Sequence, residues 1–223
     1  MIPEFIHIHE VVDVVIATLD ARDPYTYEHS SRVALFSELI SQDMKLPQDM
    51  HQRVHIAAHL HDIGKIGVSD SILNKAGKLT KAEMIEIQSH SRIGYNILNR
   101  LPTFRVVAKI VLHHHERMDG NGYPERLSGE AIPLESRIIA VADAFDAMTS
   151  NRSYRKGISV EDAVAEIARH AGEQFDPKVV RHFNRVYSEF PQHICCNAAN
   201  GRHYAYVGHE ELMHSRIVQN GVT

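Results

Sequence analysis

Histidine and aspartate recur in this chain where the neighbouring residues are apolar. Both types bind metal ions, and histidine also moves protons near neutral pH. The sequence holds 17 histidines in 223 residues, so their placement carries the argument. His61-Asp62, followed by Gly64 and Lys65, ends an apolar stretch. A carboxylate buried there needs a strong compensating partner, and an aspartate can bridge two metals while the adjacent histidine binds one of them. Farther on, His113-His114-His115-Glu116 leads directly into Asp119-Gly120-Asn121-Gly122-Tyr123-Pro124. Successive helical residues point about 100° apart, so two of three consecutive imidazoles converge on one centre only near a helix end. His113 is read as standing behind the other two. His29, His90 and Asp143 each fall at an inward position of a separate stretch. Singly, each reads equally well as a polar residue satisfied in the core. Together they would leave many buried polar atoms unpaired, at about 1–3 kcal/mol each, unless they shared a partner such as a metal cluster.

The segments that must position these groups read as helices. Over 4–22, Ile8, Val11, Val12, Val15, Ile16 and Leu19 recur at helical spacing. A second helix fits 28–44, with Val33, Phe36, Leu39, Ile40 and Met44 on one stripe. A third, over 48–62, puts Val54, Ala57, Ala58 and His61 on one face, and Gly64 closes it. Thr80-Lys81-Ala82-Glu83 matches a capping box opening a helix that runs to Arg100 and carries His90. Pro102 begins a helix in which Val106, Val107, Ile110 and Val111 precede His114 and His115 on the apolar side. An apolar helix over 134–149 contains Asp143 and Asp146, and two more fit 159–171 and 177–189. No alternating strand pattern of useful length intervenes. The expected fold class is therefore all-α, a helical bundle with a metal site in its core. The expected organisation is an N-terminal dimer or linker helix over 1–22, a main domain over 23–190 and a C-terminal extension over 191–223. That extension has room for a short strand pair at 203–207.

Composition narrows the setting. Apolar residues make up 43% and charged residues 23%, an ordinary globular balance. The net charge of -4 gives no global attraction to DNA, RNA or an anionic membrane. A phosphorylated ligand would have to be met by a local cluster of cations. No run of about 18 apolar residues and no basic-then-apolar leader appears, so the expected location is cytoplasmic. Cys195 and Cys196 are adjacent and do not suggest a disulfide scaffold.

His61-Asp62-Ile63-Gly64-Lys65, His114-His115-Glu116 and Asp119-Gly120-Asn121-Gly122-Tyr123-Pro124 together resemble the HD-GYP subgroup of the HD superfamily of metal-dependent phosphohydrolases. The resemblance extends from Asp20 to Tyr187. It includes Arg22-Asp23-Pro24-Tyr25-Thr26, His90 with Gly94, and Asp143-Ala144-Phe145-Asp146-Ala147-Met148-Thr149. It implies a phosphodiesterase that opens cyclic di-GMP at a site of two or three metals, commonly iron and sometimes manganese. The implied metal ligands are His29, His61, Asp62, His90, His114, His115 and Asp143, with Asp62 as the bridging carboxylate and Lys65 as the lysine that contacts phosphate. Members with three metals carry a glutamate four residues before the first ligand histidine. Tyr25 stands there in this chain, which favours two metals.

Water between two such cations loses a proton at far lower pH than bulk water, which supplies a nucleophile for phosphorus. Lys65 would offset the developing negative charge, and Tyr123 would contact a base or a phosphate oxygen. Arg152, Arg155 and Lys156 follow the Asp143 helix and suit a ligand with two phosphates, though such a run also reads as a solvated loop. His113, Glu116 and Asp119 are candidates to orient ligand imidazoles or relay protons. The mixed ligand set by itself suits iron, manganese, zinc or nickel, and the resemblance puts iron first and manganese second. Three other readings stay open: a phosphodiesterase for 3′,3′-cyclic GMP-AMP, a catalytically silent cyclic dinucleotide receptor, and another HD-type nucleotide phosphohydrolase. The expected partners are the cyclic dinucleotide, a second copy through the N-terminal helix, and a signalling protein of the GGDEF or another type.

Overall fold

The helices form where an apolar stripe at helical spacing meets a recognisable start or stop. The computed structural model describes residues 12, 14, 15 and 18, then 25–75, 77–151 and 156–189. Among them, helix α1 (Tyr25–Asp43) buries Val33, Phe36 and Ile40. Helix α2 (Gln48–Leu60) buries Val54, Ala57 and Ala58, the face expected from their spacing. It ends at Leu60, slightly earlier than expected, and a 3₁₀ turn over Ile63–Gly67 follows. His61 and Asp62 therefore sit at the corner between the two. After the short α3 (Asp70–Leu73), α4 (Lys81–Gln88) opens on the expected capping box. The Thr80 hydroxyl accepts from the Glu83 N–H at 3.3 Å, and the Glu83 carboxylate accepts from the Thr80 N–H at 2.7 Å.

The single helix expected from 80 to 100 is interrupted. The Ser89 N–H is shared between the Ile85 and Glu86 carbonyls, and its hydroxyl donates to the Glu86 carbonyl at 2.6 Å. This competing local bonding separates α4 from α5 (His90–Leu98), so His90 stands at a helix start. A 3₁₀ turn over Pro102–Phe104 leads into α6 (Arg105–Leu112), which delivers His113, His114 and His115 just past its last turn. Val106, expected on the buried stripe, is instead 50% exposed. Helix α7 (Leu134–Thr149) matches the expected span and carries Asp143 and Asp146. Helix α8 (Val160–Arg169) is capped by Ser159, and α9 (Pro177–Val186) by Asp176 with Pro177 at its first position.

No strand appears among the described residues; Ala171 and Phe175 form one isolated bridge. Helix α1 packs against α2, α7 and α9, while α6 packs against α5 and α2. Phe36, Phe145 and Phe183, from α1, α7 and α9, meet edge to face at 5.4 and 5.3 Å between ring centres. Chain contacts divide into Met1–Tyr187 and Ser188–Thr223. Cys195, Cys196, the strand pair at 203–207 and most of the 4–22 helix lie outside the described residues.

Candidate metal centre

The seven predicted ligands arrive from five stretches of chain, and the packing of glycines lets these approach. A Cβ on Gly64 would lie 1.8 Å from the His90 carbonyl oxygen, and one on Gly94 would lie 3.2 Å from both Ile63 and Val111 side chains. Only bare backbone fits where the 3₁₀ turn meets α5, and this contact sets His61-Asp62 beside His90. Gly122 does the same for the loop: a Cβ there would meet the Glu116 Cα at 2.5 Å and the His115 carbonyl at 2.6 Å.

The result is two neighbouring groups of donors. His29, His61 and Asp143 offer ligand atoms within 4.8 Å of one another, and so do His90, His114 and His115. Asp62 lies between them. Its Oδ2 is 3.4 Å from His61 Nε2 and 3.6 Å from His29 Nε2, while its Oδ1 is 3.6 Å from His90 Nε2. The His61 and His114 rings are 5.2 Å apart, which closes the set. All seven residues singled out from the sequence are thus brought into one cluster, buried except for the part-exposed His115 and Asp143.

The proton positions indicate what this cluster lacks. Nδ1 of His61, His90 and His114 lies 2.7, 2.7 and 2.5 Å from the carbonyl oxygen three residues earlier. A carbonyl only accepts, so each Nδ1 carries the proton and each Nε2 faces the cluster. His90 Nε2 and His114 Nε2 are 3.3 Å apart, two lone pairs face to face. Burial holds His90 below the usual imidazole range and His114 well below it, so neither supplies a second proton. His61 differs. Burial works against its charge, but Asp62 and Asp143 beside it raise it to about 9. Its buried Nε2 makes no hydrogen bond among the described residues. Opposed lone pairs and a proton recruited only by surrounding carboxylates mark places a cation would fill, and the donor set of imidazoles and carboxylates fits divalent metal.

Lys65 Nζ donates to Asp62 Oδ2 at 2.6 Å. Burial works to raise the Asp62 carboxyl, but Lys65 and His61 hold it well below the ordinary carboxylate range. Asp62 is therefore anionic. The Tyr123 ring lies 4.8 Å from that of His115, and burial pushes its phenol well up, so its hydroxyl keeps its proton. Lys156 is exposed, and Arg152 and Arg155 lie outside the described residues.

Three residues expected to relay protons have other work. The buried Glu116 carboxylate accepts from the N–H groups of Glu125 and Leu127 at 2.7 and 3.0 Å, tying down the loop. Asp119 pairs with Arg117 and accepts from the Asn121 N–H. His113 points away from the cluster, with Nε2 3.0 Å from Glu125, which also pairs with Arg92. Sequence reasoning missed the group behind His29. Asp146 Oδ2 accepts from His29 Nδ1 at 2.7 Å, and Arg32 Nε donates to Asp146 Oδ1 at 2.5 Å. The available signal was its position three residues after Asp143, on the same face of an apolar helix.

The HD domain family model matches residues 13–179. A cyclic di-GMP phosphodiesterase of Thermotoga maritima is 40% identical over 81% of this chain and 50% of its own length. A 3′3′-cGAMP-specific phosphodiesterase of Vibrio cholerae is 38% identical over 78% of this chain and 38% of its own. The crystal structure of a cyclic GMP-AMP specific phosphodiesterase from V. cholerae superposes with a TM-score of 0.57 at 25% identity, covering 74% of this chain and 44% of that one. The chain thus spans half or less of the length of these relatives.

Proposed function

Because this chain belongs to the HD domain family, we propose that it is a metal-dependent phosphodiesterase that opens cyclic di-GMP to linear pGpG, GMP or both. The single observation that carries this reading is Asp62, set between two groups of metal-binding side chains with one oxygen toward each. His29, His61 and Asp143 would hold one divalent cation, and His90, His114 and His115 another, with Asp62 shared. Bound metals would supply an activated water and neutralise phosphate charge. Iron is the first candidate and manganese the second, ahead of zinc and nickel. No third metal is proposed, because Tyr25 replaces the glutamate such a site uses.

This chain's own residues prepare the reaction. The backbone carbonyls of Ala58, Ile87 and Val111 hold the Nδ1 protons of His61, His90 and His114, which keeps each Nε2 aimed inward. Lys65, partly exposed at the edge of the cluster, would meet a phosphate oxygen and offset charge gained on the phosphorus. Tyr123, anchored through the loop that Glu116 holds, would contact the substrate from the His115 side. Lys156, with Arg152 and Arg155, would meet the second phosphate.

The chain's similarity to cyclic di-GMP phosphodiesterases supports a cyclic dinucleotide substrate, and its similarity to 3′3′-cGAMP-specific phosphodiesterases favours a second reading in which cyclic GMP-AMP is the better substrate. Residues 1–22 would serve as a dimer or linker helix, 23–190 as the catalytic domain and 191–223 as an extension. A GGDEF-type or other signalling protein is the proposed partner. Among the described residues no helix is long and apolar enough to cross a membrane, which agrees with a proposed cytoplasmic location. The deciding experiment reconstitutes the protein with Fe²⁺ or Mn²⁺ and follows linear product from cyclic di-GMP and from 3′,3′-cyclic GMP-AMP in parallel. Turnover of neither, with phosphate released from nucleoside monophosphates instead, would overturn the reading. Binding without turnover would make the protein a receptor.

A further inference from the structure

One histidine of the cluster is held differently from those beside it. His61, His90 and His114 give their Nδ1 protons to neutral backbone carbonyls. His29 gives its proton to the carboxylate of Asp146, which is fully buried. A carboxylate on the far nitrogen makes the near nitrogen a stronger donor and fixes the ring, so Nε2 stays aimed at its target. Here that target is the carboxylate side of the cluster, with His29 Nε2 3.4 Å from Asp143 Oδ1.

Asp146 is itself clamped. Arg32, one turn along α1 from His29, donates through Nε to Oδ1 at 2.5 Å and through Nη2 to Oδ2 at 3.2 Å. Nη2 also donates to Ser150 Oγ at 3.1 Å, at the end of the helix that carries Asp143 and Asp146. Burial works to raise the Asp146 carboxyl, but His29 and Arg32 hold it below its ordinary value. Helices α1 and α7 are thus joined by one charged unit directly behind the His29 side of the cluster.

We infer that Asp146, oriented by Arg32, is a positioning residue that strengthens one of the two metal positions, the one formed by His29, His61 and Asp143. The inference rests on the two-metal reading above. Asp146→Asn keeps the shape of the side chain and can still accept from Nδ1, but removes the charge. It should weaken one of two metal-binding constants by about 10–100-fold and leave the other unchanged. Arg32→Lys retains a cation but cannot hold both carboxylate oxygens, so it should weaken the same constant by less.

The test uses the full chain, stripped of metal and titrated with Mn²⁺ by equilibrium dialysis and elemental analysis, with circular dichroism to confirm folding. Wild type holding two equivalents, with Asp146→Asn selectively loosening one, supports the inference. Two unchanged constants in Asp146→Asn, or equal loss of both, overturns it, because a merely structural ion pair would not discriminate between the positions. If Asp146→Asn does not fold, Arg32→Lys decides by the same comparison. Wild type that fails to bind two equivalents would overturn the two-metal reading as well, which separates the two failures.

Discussion

At the residue scale, Asp62 and Lys65 touch each other yet should fail differently. Asp62 has an oxygen toward each donor group, so Asp62→Ala should abolish turnover and lower metal content together. Equal metal content in wild type and variant would refute its shared position. Lys65 contributes charge at the cluster edge but no ligand, so Lys65→Ala should retain metal and lose about 10²–10³ in kcat, the cost of removing one donor aimed at developing charge. Elemental analysis beside product chromatography separates the two outcomes. The cluster members themselves were legible in the sequence, because histidine and aspartate on apolar stripes are costly unless they share a partner. What supports them was not. Glu116 looks like a proton relay until the chain folds back and brings the Glu125 and Leu127 N–H groups to it. Asp146 acquires its role from Arg32, 114 positions earlier, a pairing that no local pattern encodes.

At the scale of elements, geometry depends on close approach rather than on added contacts. Gly64 fits against α5 only because it lacks a side chain, and its replacement by alanine would drive a methyl into the His90 carbonyl. Gly64→Ala should cost about 3 kcal/mol or more in urea unfolding and should displace His90 from the cluster, with metal lost even where the variant folds. An unchanged unfolding midpoint would show that the turn can shift without harm. Helices α1 and α2 are joined on another side by Glu38, which lies 3.4 Å from His51 and 3.5 Å from His55. Burial works to raise the Glu38 carboxyl, but the two histidines hold it well below its ordinary 4.5. A depressed folded value contributes stability above the unfolded one, lost as pH falls through the folded one. The advantage of wild type over Glu38→Gln should therefore shrink as pH falls below about 4.5. Urea midpoints measured from pH 4.5 downward check it; an advantage that grows over that interval would reverse the sign. Helix spans were largely readable, since α7, α8 and α9 follow their stripes and caps. The break at Ser89 was not, because a serine hydroxyl inside an apolar helical pattern can point outward or bond back to a carbonyl such as that of Glu86, and the spacing does not say which.

For the molecule as a whole, the proposed ligands come from α1, α5, α7, the corner after α2 and the end of α6, so a bound metal would act as a cross-link among otherwise separate helices. Without a cation the folded state must tolerate facing lone pairs of His90 and His114 and a buried proton on His61. The unfolded chain has neither burden, since its imidazoles and carboxylates are solvated and far apart. Metal that binds the folded state alone therefore stabilises by an amount set by its concentration relative to Kd, on the order of 2.7 kcal/mol at a hundredfold excess. For a chain of this length that corresponds to roughly 5–10 °C in melting temperature. Chelation should lower the Tm by this order, and Fe²⁺ or Mn²⁺ should restore it in a concentration-dependent way that calcium, which prefers all-oxygen sites, does not reproduce. Scanning calorimetry of metal-free and reloaded protein makes the comparison without substrate. A Tm indifferent to chelation and to added metal would mean that the helices hold these side chains together for reasons other than a cation, and the hydrolase reading would lose its physical basis.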